Sequence, residues 1–135
     1  MMHHFSPRNW TEFKASSSWL MFKIMSEFVD GFERMDKLTP CVCIFGSART
    51  KKDHPYYLKT VELAKELGKE GFGIITGGGP GIMEAGNKGA QEAQATSVGL
   101  NIELPHEQGS NPYIDFDKNF TFKYFFVRKV MFLKY

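Results

Sequence analysis

The strongest constraint on the fold is the stretch FGIITGGGPGIMEAGNKGA, residues 72–90. An apolar run at residues 72–76 leads directly into the turn Gly77-Gly78-Gly79-Pro80-Gly81. Glycine loses more conformational freedom on folding than any other residue, so such a cluster indicates a backbone that needs unusual angles or close contacts. A strand that passes through a glycine turn into a helix is typical of a parallel α/β sheet, whose ligands bind beyond the carboxyl ends of its strands.

Helical and strand patterns alternate along most of the chain. Apolar residues at three- and four-residue steps predict three helices, at residues 19–38, 56–69 and 82–95. Apolar runs predict two buried strands, at residues 41–45 and 72–76, and the segment 97–104, which ends at Pro105, predicts a third strand. The alternation predicts right-handed βαβ units and a parallel α/β sheet.

The two ends of the chain differ from this pattern. Residues 1–18 are polar, and we expect a disordered or frayed leader. Residues 106–122 are interpreted as a long polar loop, and residues 123–135 as a helix around Arg128 and Lys129, although so many aromatic residues are also compatible with a strand. Because sheets usually contain about five or six strands, about three strands indicate a domain that is incomplete at its C-terminus.

Composition excludes several classes of protein. The 17 basic and 15 acidic residues give a net charge of +2, which is too balanced for an electrostatic nucleic-acid binder. The sequence has no apolar run of the roughly 20 residues that cross a membrane, and its N-terminus lacks the pattern of a secretion signal, so we expect a cytoplasmic protein. Cys41 and Cys43 would share one face of a strand as reduced core residues, and no second pair suggests a metal site.

The glycine turn favours a bound phosphate. Glycines allow close approach of the backbone, and a helix N-terminus attracts anions. Gly46-Ser47, after the first predicted strand, would lie at the same edge of the sheet. The turn matches neither G-x-G-x-x-G nor the Walker A loop, which disfavours a dinucleotide cofactor and an NTPase. The alternative is a helix-packing turn without a ligand.

Four segments in order resemble the Lonely Guy (LOG) family, also labelled lysine-decarboxylase-like: FGSART, GFGIITGGGPGIMEAGNKGA, SVGLNIELPHEQ and YFFVRKVMF. The resemblance covers roughly residues 19–135 and divides the chain into the leader, an amphipathic N-terminal helix at 19–38, and the N-terminal part of a Rossmann-like nucleotide-binding domain at 39–135. Members of this family hydrolyse nucleoside 5′-monophosphates to the free base and ribose 5-phosphate, and include the cytokinin-activating enzymes.

The resemblance also implies site residues. Arg128 matches the family's catalytic arginine, and Lys129 and Glu107 match substrate-binding positions. The remaining substrate-binding residues would be the glycine-bearing strand ends, namely Gly46, Ser47, Gly77, Gly78, Gly79 and Gly81. The resemblance implies a nucleoside 5′-monophosphate substrate and a homodimer or larger homo-oligomer, with no cofactor, metal, nucleic acid or membrane. Without the family, Arg128 and Lys129 would be read as a solvated basic pair, and Glu107 as an ordinary loop residue.

One part of the family pattern is missing. The loop P-G-G-x-G-T-x-x-E, which in the family carries the phosphate clamp and the catalytic glutamate, does not occur in the 135 residues, and Glu84 is not the equivalent of that glutamate. We therefore expect this chain alone to be inactive as a nucleosidase. The alternative is a non-catalytic Rossmann-like carrier of a nucleotide or of molybdenum cofactor. Pyridoxal-dependent lysine decarboxylation is disfavoured, because no lysine has a Schiff-base sequence context.

Overall fold

The computed structural model describes residues 7–105 and 109–135, with side chains from residue 16 onward. Its elements alternate in the predicted order and are α1 (Pro7–Met35), β1 (Cys41–Cys43), α2 (Pro55–Lys69), β2 (Gly73–Thr76), α3 (Ile82–Glu92), β3 (Ser97–Ile102), a 3₁₀ turn (Phe116–Lys118), β4 (Asn119–Phe122) and α4 (Phe125–Lys134). The predicted α/β fold with a parallel sheet is confirmed.

The sheet has four parallel strands in the order β1-β2-β3-β4, one more than the sequence predicted. The additional strand, β4, lies in the segment whose polar sequence predicts a loop. Phe120 and Phe122 are buried while Asn119 and Thr121 are exposed, so the strand does alternate. Four residues give too little of that alternation to recognise against a polar background.

Helices cover both faces of the sheet, because successive residues of each strand point to opposite sides. In β2, Ile75 faces the larger core with α1 and α4, and Ile74 faces α2 and α3. The larger core consists of Met35, Ile75, Val98, Leu100, Phe120, Phe122, Val127 and Met131. The smaller one is built on Ala64, Ile74 and Ala90.

Helix α1 begins at Pro7, well before the predicted start at residue 19. Proline is favoured in the first turn of a helix, where its missing N–H is not needed. The predicted leader therefore belongs to α1 from residue 7 onward, and its first six residues lie outside the described residues. Among the described helices, none is both long enough and apolar enough to span a membrane.

The C-terminal segment is the helix α4, which confirms one of the two alternatives left open by its aromatic sequence. This helix starts after β4 and crosses the larger core to reach β1. Near its end, the rings of Phe132 and Phe45 lie 5.0 Å apart, and the Cys43 thiol donates to the carbonyl of Phe132 at 3.5 Å. The last turn of α4 thus lies over the end of β1, which is an edge strand of the described sheet.

The two cysteines lie on the predicted common face of β1, against the larger core. Both are half-buried free thiols. Burial raises the pKa of Cys41 to about 11 and also raises the pKa of Cys43. Both thiols are therefore protonated and unreactive at neutral pH.

Candidate functional site

The glycine turn lies at the carboxyl end of β2 and leads into α3. Gly78 and Gly81 have φ angles of +80° and +70°, which residues with a Cβ rarely adopt. A Cβ on Gly81 would also collide with the backbone carbonyl of Ser47, and one on Gly78 with the side chain of Asn101. Both glycines are therefore required by backbone angle and by space.

The loops that follow β1 and β2 lie at the same edge of the sheet, as the sequence predicted, and they are packed against each other. Gly46 lies against the side chain of Ile82, so closely that a Cβ would not fit. The N–H of Ile82, at the start of α3, donates to the carbonyl of Ser47 at 3.0 Å. Gly46, Ser47 and the glycine turn therefore form one continuous surface at this end of the sheet.

A buried polar network supports the glycine turn from below. The side chain of Asn87, fully buried on α3, accepts hydrogen bonds from Thr76 Oγ1 at 2.5 Å and from Asn111 Nδ2 at 3.0 Å. It donates to Ser97 Oγ at 2.9 Å and to the carbonyl of Val98 at 3.1 Å. Because every polar atom of this carboxamide is used, the network holds α3, β2 and β3 in one arrangement.

The network determines which backbone groups of the turn remain available. The carbonyl of Gly78 accepts from the Asn111 N–H at 2.9 Å, and the carbonyl of Gly79 accepts from Asn111 Nδ2 at 3.0 Å. The carbonyl of Gly77 accepts from Arg128 Nη2 at 3.4 Å. Within the described segments, by contrast, no residue accepts a hydrogen bond from the N–H groups of Gly77 and Gly79. A turn with paired carbonyls and free N–H groups is suited to binding an anion.

Arg128 brings a positive charge to the same place. From the first turns of α4 its Nε donates to the carbonyl of Leu100 at 2.6 Å, at the carboxyl half of β3. The guanidinium is half-buried and lies 5.1 Å from the ring centre of Phe132, and burial lowers its pKa below the usual value. Among the described residues no carboxylate forms an ion pair with it. The charge of Arg128 is therefore fixed in position and free to pair with an anion.

The other predicted residues are placed differently. Lys129 is exposed and does not line the cleft that contains Arg128, because neighbouring residues of a helix point about 100° apart. Glu107 lies outside the described residues. Glu84 is buried and forms an ion pair with Lys52, with Oε1 and Nζ 3.4 Å apart. That Glu84 is not the family's catalytic glutamate remains a prediction.

Comparisons with known proteins identify the family of the chain. The sequence profile of the SLOG cluster4 family matches residues 39–120, which include β1 to β3 and the glycine turn. The chain belongs to the SLOG cluster4 family. The X-ray structure of TM1055, a Northeast Structural Genomics Consortium target, is 28% identical to the chain with a TM-score of 0.52. No curated protein matches the sequence significantly.

The comparisons confirm the LOG-like resemblance and the Rossmann-like α/β fold. They support a nucleotide-binding α/β fold. The match with TM1055 covers 70% of this SLOG cluster4 chain but only 53% of the TM1055 chain. The chain thus spans about half the length of that structure.

The cleft of this SLOG cluster4 chain is small. It has a volume of about 120 Å³ and is lined by Gly77, Gly79, Met83, Asn101, Ile102, Leu104 and Arg128. A neighbouring cleft of about 360 Å³ shares Asn101, Ile102 and Leu104 with it. Small-molecule sites usually measure about 300–1,000 Å³, so the first cleft has room only for a group about the size of a phosphate, and a larger ligand would have to extend into the second.

The sequence did not predict the asparagines of this site. Asn101 is half-buried beside Gly78, where its Nδ2 donates to the carbonyl of Phe120 at 3.0 Å and its Oδ1 accepts from Ser110 Oγ at 3.1 Å. Asn111 holds two carbonyls of the turn, although it lies about 30 residues from it in sequence. The one available signal was Asn87, a polar residue at a position of α3 where helical spacing predicts burial.

Proposed function

We propose that this SLOG cluster4 chain provides the N-terminal part of a nucleoside 5′-monophosphate phosphoribohydrolase, and that this part contacts the substrate's phosphate. Such an enzyme, of the AMP or cytokinin riboside monophosphate type, hydrolyses the N-glycosidic bond to the free base and ribose 5-phosphate. The observation that supports the proposal is the cleft lined by Gly77, Gly79 and Arg128, where, among the described residues, the two glycine N–H groups have no acceptor and the guanidinium has no carboxylate partner. This combination is suited to a phosphate monoester.

The proposed chemistry divides into binding and bond cleavage. A phosphate held in the small cleft would extend its ribose and base into the neighbouring cleft, so that binding energy orients the reacting carbon. Cleavage develops positive charge at C1′, which requires a nearby carboxylate and an oriented water molecule. The cleft with Arg128 is lined by no carboxylate among the described residues, and Glu103 lines only the neighbouring one. We therefore propose that the 135 residues alone do not hydrolyse nucleotides.

The topology suggests where a catalytic loop would join in a longer protein. Helix α4 ends over β1, whose outer edge is unpaired within the described sheet. A parallel strand that followed α4 would pair with this edge through a right-handed crossover. Its carboxyl end would then lie beside Gly46 and Ser47, at the point where the strand order reverses and α/β proteins bind ligands. We propose that the missing P-G-G-x-G-T-x-x-E loop would lie there.

A non-catalytic carrier of a nucleotide or of molybdenum cofactor is the second candidate. The same observation favours it, because the cleft combines phosphate-binding groups with no carboxylate in its lining among the described residues. A carrier would bind its ligand with this geometry and release it unchanged. In either case we propose a cytoplasmic protein, since two free thiols are typical of reducing compartments; export of a tagged protein would contradict this.

Calorimetric titration of the 135-residue chain with AMP and with adenosine tests the binding proposal. We expect AMP to bind and adenosine to bind at least tenfold more weakly, because the phosphate supplies the charge-assisted hydrogen bonds. Arg128→Gln should weaken AMP binding by at least tenfold. Lys129→Gln is the matched variant: it removes the same charge one residue away, outside the cleft, and should change binding less than twofold.

Each outcome of the titration has a defined meaning. Equal affinity for AMP and adenosine would contradict phosphate binding at this cleft. An equal loss in both variants would support the substrate-binding role that the resemblance gives to Lys129, and would contradict our placement of the phosphate. Chromatography of the reaction mixture tests hydrolysis separately: free adenine released from AMP by the 135-residue chain would contradict its proposed inactivity.

A further inference from the structure

Met83 forms part of the wall of the small cleft. It lies in the first turn of α3, and its side chain is half-buried. Its Sδ lies 2.8 Å from the position that a Cβ on Gly77 would occupy, and its Cε lies 2.7 Å from the corresponding position at Gly79. The two glycines therefore leave the space that this side chain fills.

The sulfur atom of Met83 lies beside the proposed phosphate-binding groups. Arg128 Nη2 is 2.7 Å from the same Cβ position at Gly77 as Met83 Sδ, which is 2.8 Å from it, so the two atoms are at most about 5.5 Å apart. The N–H groups of Gly77 and Gly79, which have no acceptor within the described segments, belong to the two residues that this side chain covers. An oxygen atom bonded to the sulfur would thus be close to three sets of donors.

The oxidation state of Met83 decides whether these donors are used. A thioether sulfur is only a weak hydrogen-bond acceptor, so the reduced side chain leaves the donors available. A methionine sulfoxide is polar and carries an oxygen acceptor. We propose that Met83 is a modification site, and that its sulfoxide oxygen accepts hydrogen bonds from the two glycine N–H groups and Arg128 in place of a phosphate. The inference rests on the proposed function, because the excluded ligand is the phosphate of the nucleotide.

Hydrogen peroxide supplies the oxygen atom in this step. The sulfur of Met83 gives an electron pair to one peroxide oxygen, so that an S–O bond forms as the O–O bond breaks. The proton on the transferred oxygen passes to the leaving oxygen, which departs as water. The sulfur is oxidised by two electrons and the peroxide is reduced, and methionine sulfoxide reductases reverse the change.

The other described methionines differ from Met83 in burial or in position. Met35 and Met131 are fully buried in the larger core. Met21 and Met25 are each 56% exposed, but neither lines the cleft. Peroxide should therefore modify Met21, Met25 and Met83, and of these three only Met83 should affect the cleft. Met25 is thus a matched control for oxidation at another site.

Hydrogen exchange followed by NMR tests the contact in the absence of any ligand. After peroxide treatment of the 135-residue chain, we expect the Gly77 and Gly79 amides to exchange at least tenfold more slowly, because each gains an acceptor. Met83→Leu, which nearly conserves the volume, should show no such protection after the same treatment. Met25→Leu should behave as the wild type does. Peptide mass spectrometry identifies the methionines that carry a sulfoxide.

Calorimetric titration with AMP tests the effect on the site. The oxidised wild-type chain should bind AMP at least tenfold more weakly than its own reduced form, because the charge-assisted donors are occupied. The same comparison should give a difference of less than twofold for Met83→Leu, and again at least tenfold for Met25→Leu. Circular dichroism establishes that each sample is folded.

The outcomes separate this inference from the proposed function. Unchanged or faster exchange of both amides in a chain oxidised at Met83 would overturn the inference. So would modification of Met25 that leaves Met83 unmodified, or an equal loss of affinity in oxidised Met83→Leu. If the reduced chain does not bind AMP, the proposed function fails, and amide exchange still decides whether the sulfoxide takes these donors. If Met83→Leu does not fold, wild-type samples oxidised to different extents decide, because protection must follow the sulfoxide fraction at Met83.

Discussion

Replacement of Asn87 by alanine should remove the support of the glycine turn. Asn87 is fully buried, and its side chain takes part in four hydrogen bonds that join α3 to β2, β3 and Asn111. Alanine fits the helix and has no polar group, so the change isolates the loss of the network. The backbone of α3 should remain intact.

The magnitude follows from the partners left behind. Each buried hydrogen bond contributes about 1 kcal/mol, and a buried partner left unsatisfied costs more. Ser97 Oγ keeps a bond to the carbonyl of Tyr113 at 2.7 Å, but Thr76 Oγ1 loses its acceptor. We therefore expect a loss of about 4 kcal/mol in the free energy of unfolding, a large fraction of the 5–15 kcal/mol typical of a domain.

Urea unfolding followed by circular dichroism measures this loss. With a slope of about 2 kcal/mol per molar urea, Asn87→Ala should lower the midpoint by about 2 M. Asn119→Ala, at an exposed asparagine, should change the free energy of unfolding by less than about 1 kcal/mol. If the two variants are equally stable, the network does not support the turn as described.

Asn87→Asp gives a second test, because it keeps the shape but loses the two N–H donors. An ionised carboxylate would face the carbonyl of Val98, whereas a protonated one can still donate. Since burial favours the neutral acid, the pKa of this carboxyl should be raised in the folded state. The variant should therefore be most stable at low pH and lose stability as the pH rises, a dependence that the wild-type residue cannot produce.

Three further variants test other contacts. Gly78→Ala should lower the free energy of unfolding by about 2 kcal/mol or more, because of the positive φ at Gly78 and its contact with Asn101. Gly71→Ala, at φ +94° in open space, should lower it by only about 1 kcal/mol. Equal losses in the two variants would contradict the role of Asn101. Tyr57→Phe should be neutral or stabilising in urea, because the buried Tyr57 hydroxyl has no hydrogen-bond partner among the described residues. Burial, followed by the charge of Glu84, raises the pKa of Tyr57 from 10.0 to about 12. The free energy of unfolding of the wild-type protein should therefore fall as the pH rises between those values, and that of Tyr57→Phe should not. If the free energies of unfolding of the two proteins change in parallel with pH, the Tyr57 hydroxyl is not buried as described. Glu27→Ala should cost about 1–3 kcal/mol by leaving two backbone N–H groups unpaired, and hydrogen exchange should rise at Lys123 and Tyr124; unchanged exchange there would exclude the cap.

The architecture could be predicted where the local pattern was strong. Apolar runs identified β1 and β2, the segment before Pro105 identified β3, and helical spacing identified α2, α3 and much of α1. The glycine turn indicated the ligand edge of the sheet, because few structures other than such a junction require so many glycines. Strand β4 was missed because four alternating residues do not stand out in a polar segment.

The site could be predicted only in part, because several of its contacts join distant residues. Arg128 and Lys129 are adjacent basic residues, and the sequence alone does not distinguish their roles. Aromatic residues lie on most faces of α4, so the helical pattern does not indicate which of the two faces the sheet. Asn87 meets Asn111 only after the chain has folded, so no local pattern relates them. The positions of the free glycine N–H groups depend on this network, which is a property of the tertiary structure.

We propose that the N–H groups of Gly77 and Gly79 and the guanidinium of Arg128 bind a phosphate. The most direct measurement is a ¹⁵N NMR titration of the 135-residue chain with AMP, inorganic phosphate and adenosine. We predict that AMP and phosphate shift the two glycine amides and the Arg128 Nε–H resonance, and that adenosine does not. Binding of AMP that leaves these three resonances unchanged would contradict the account.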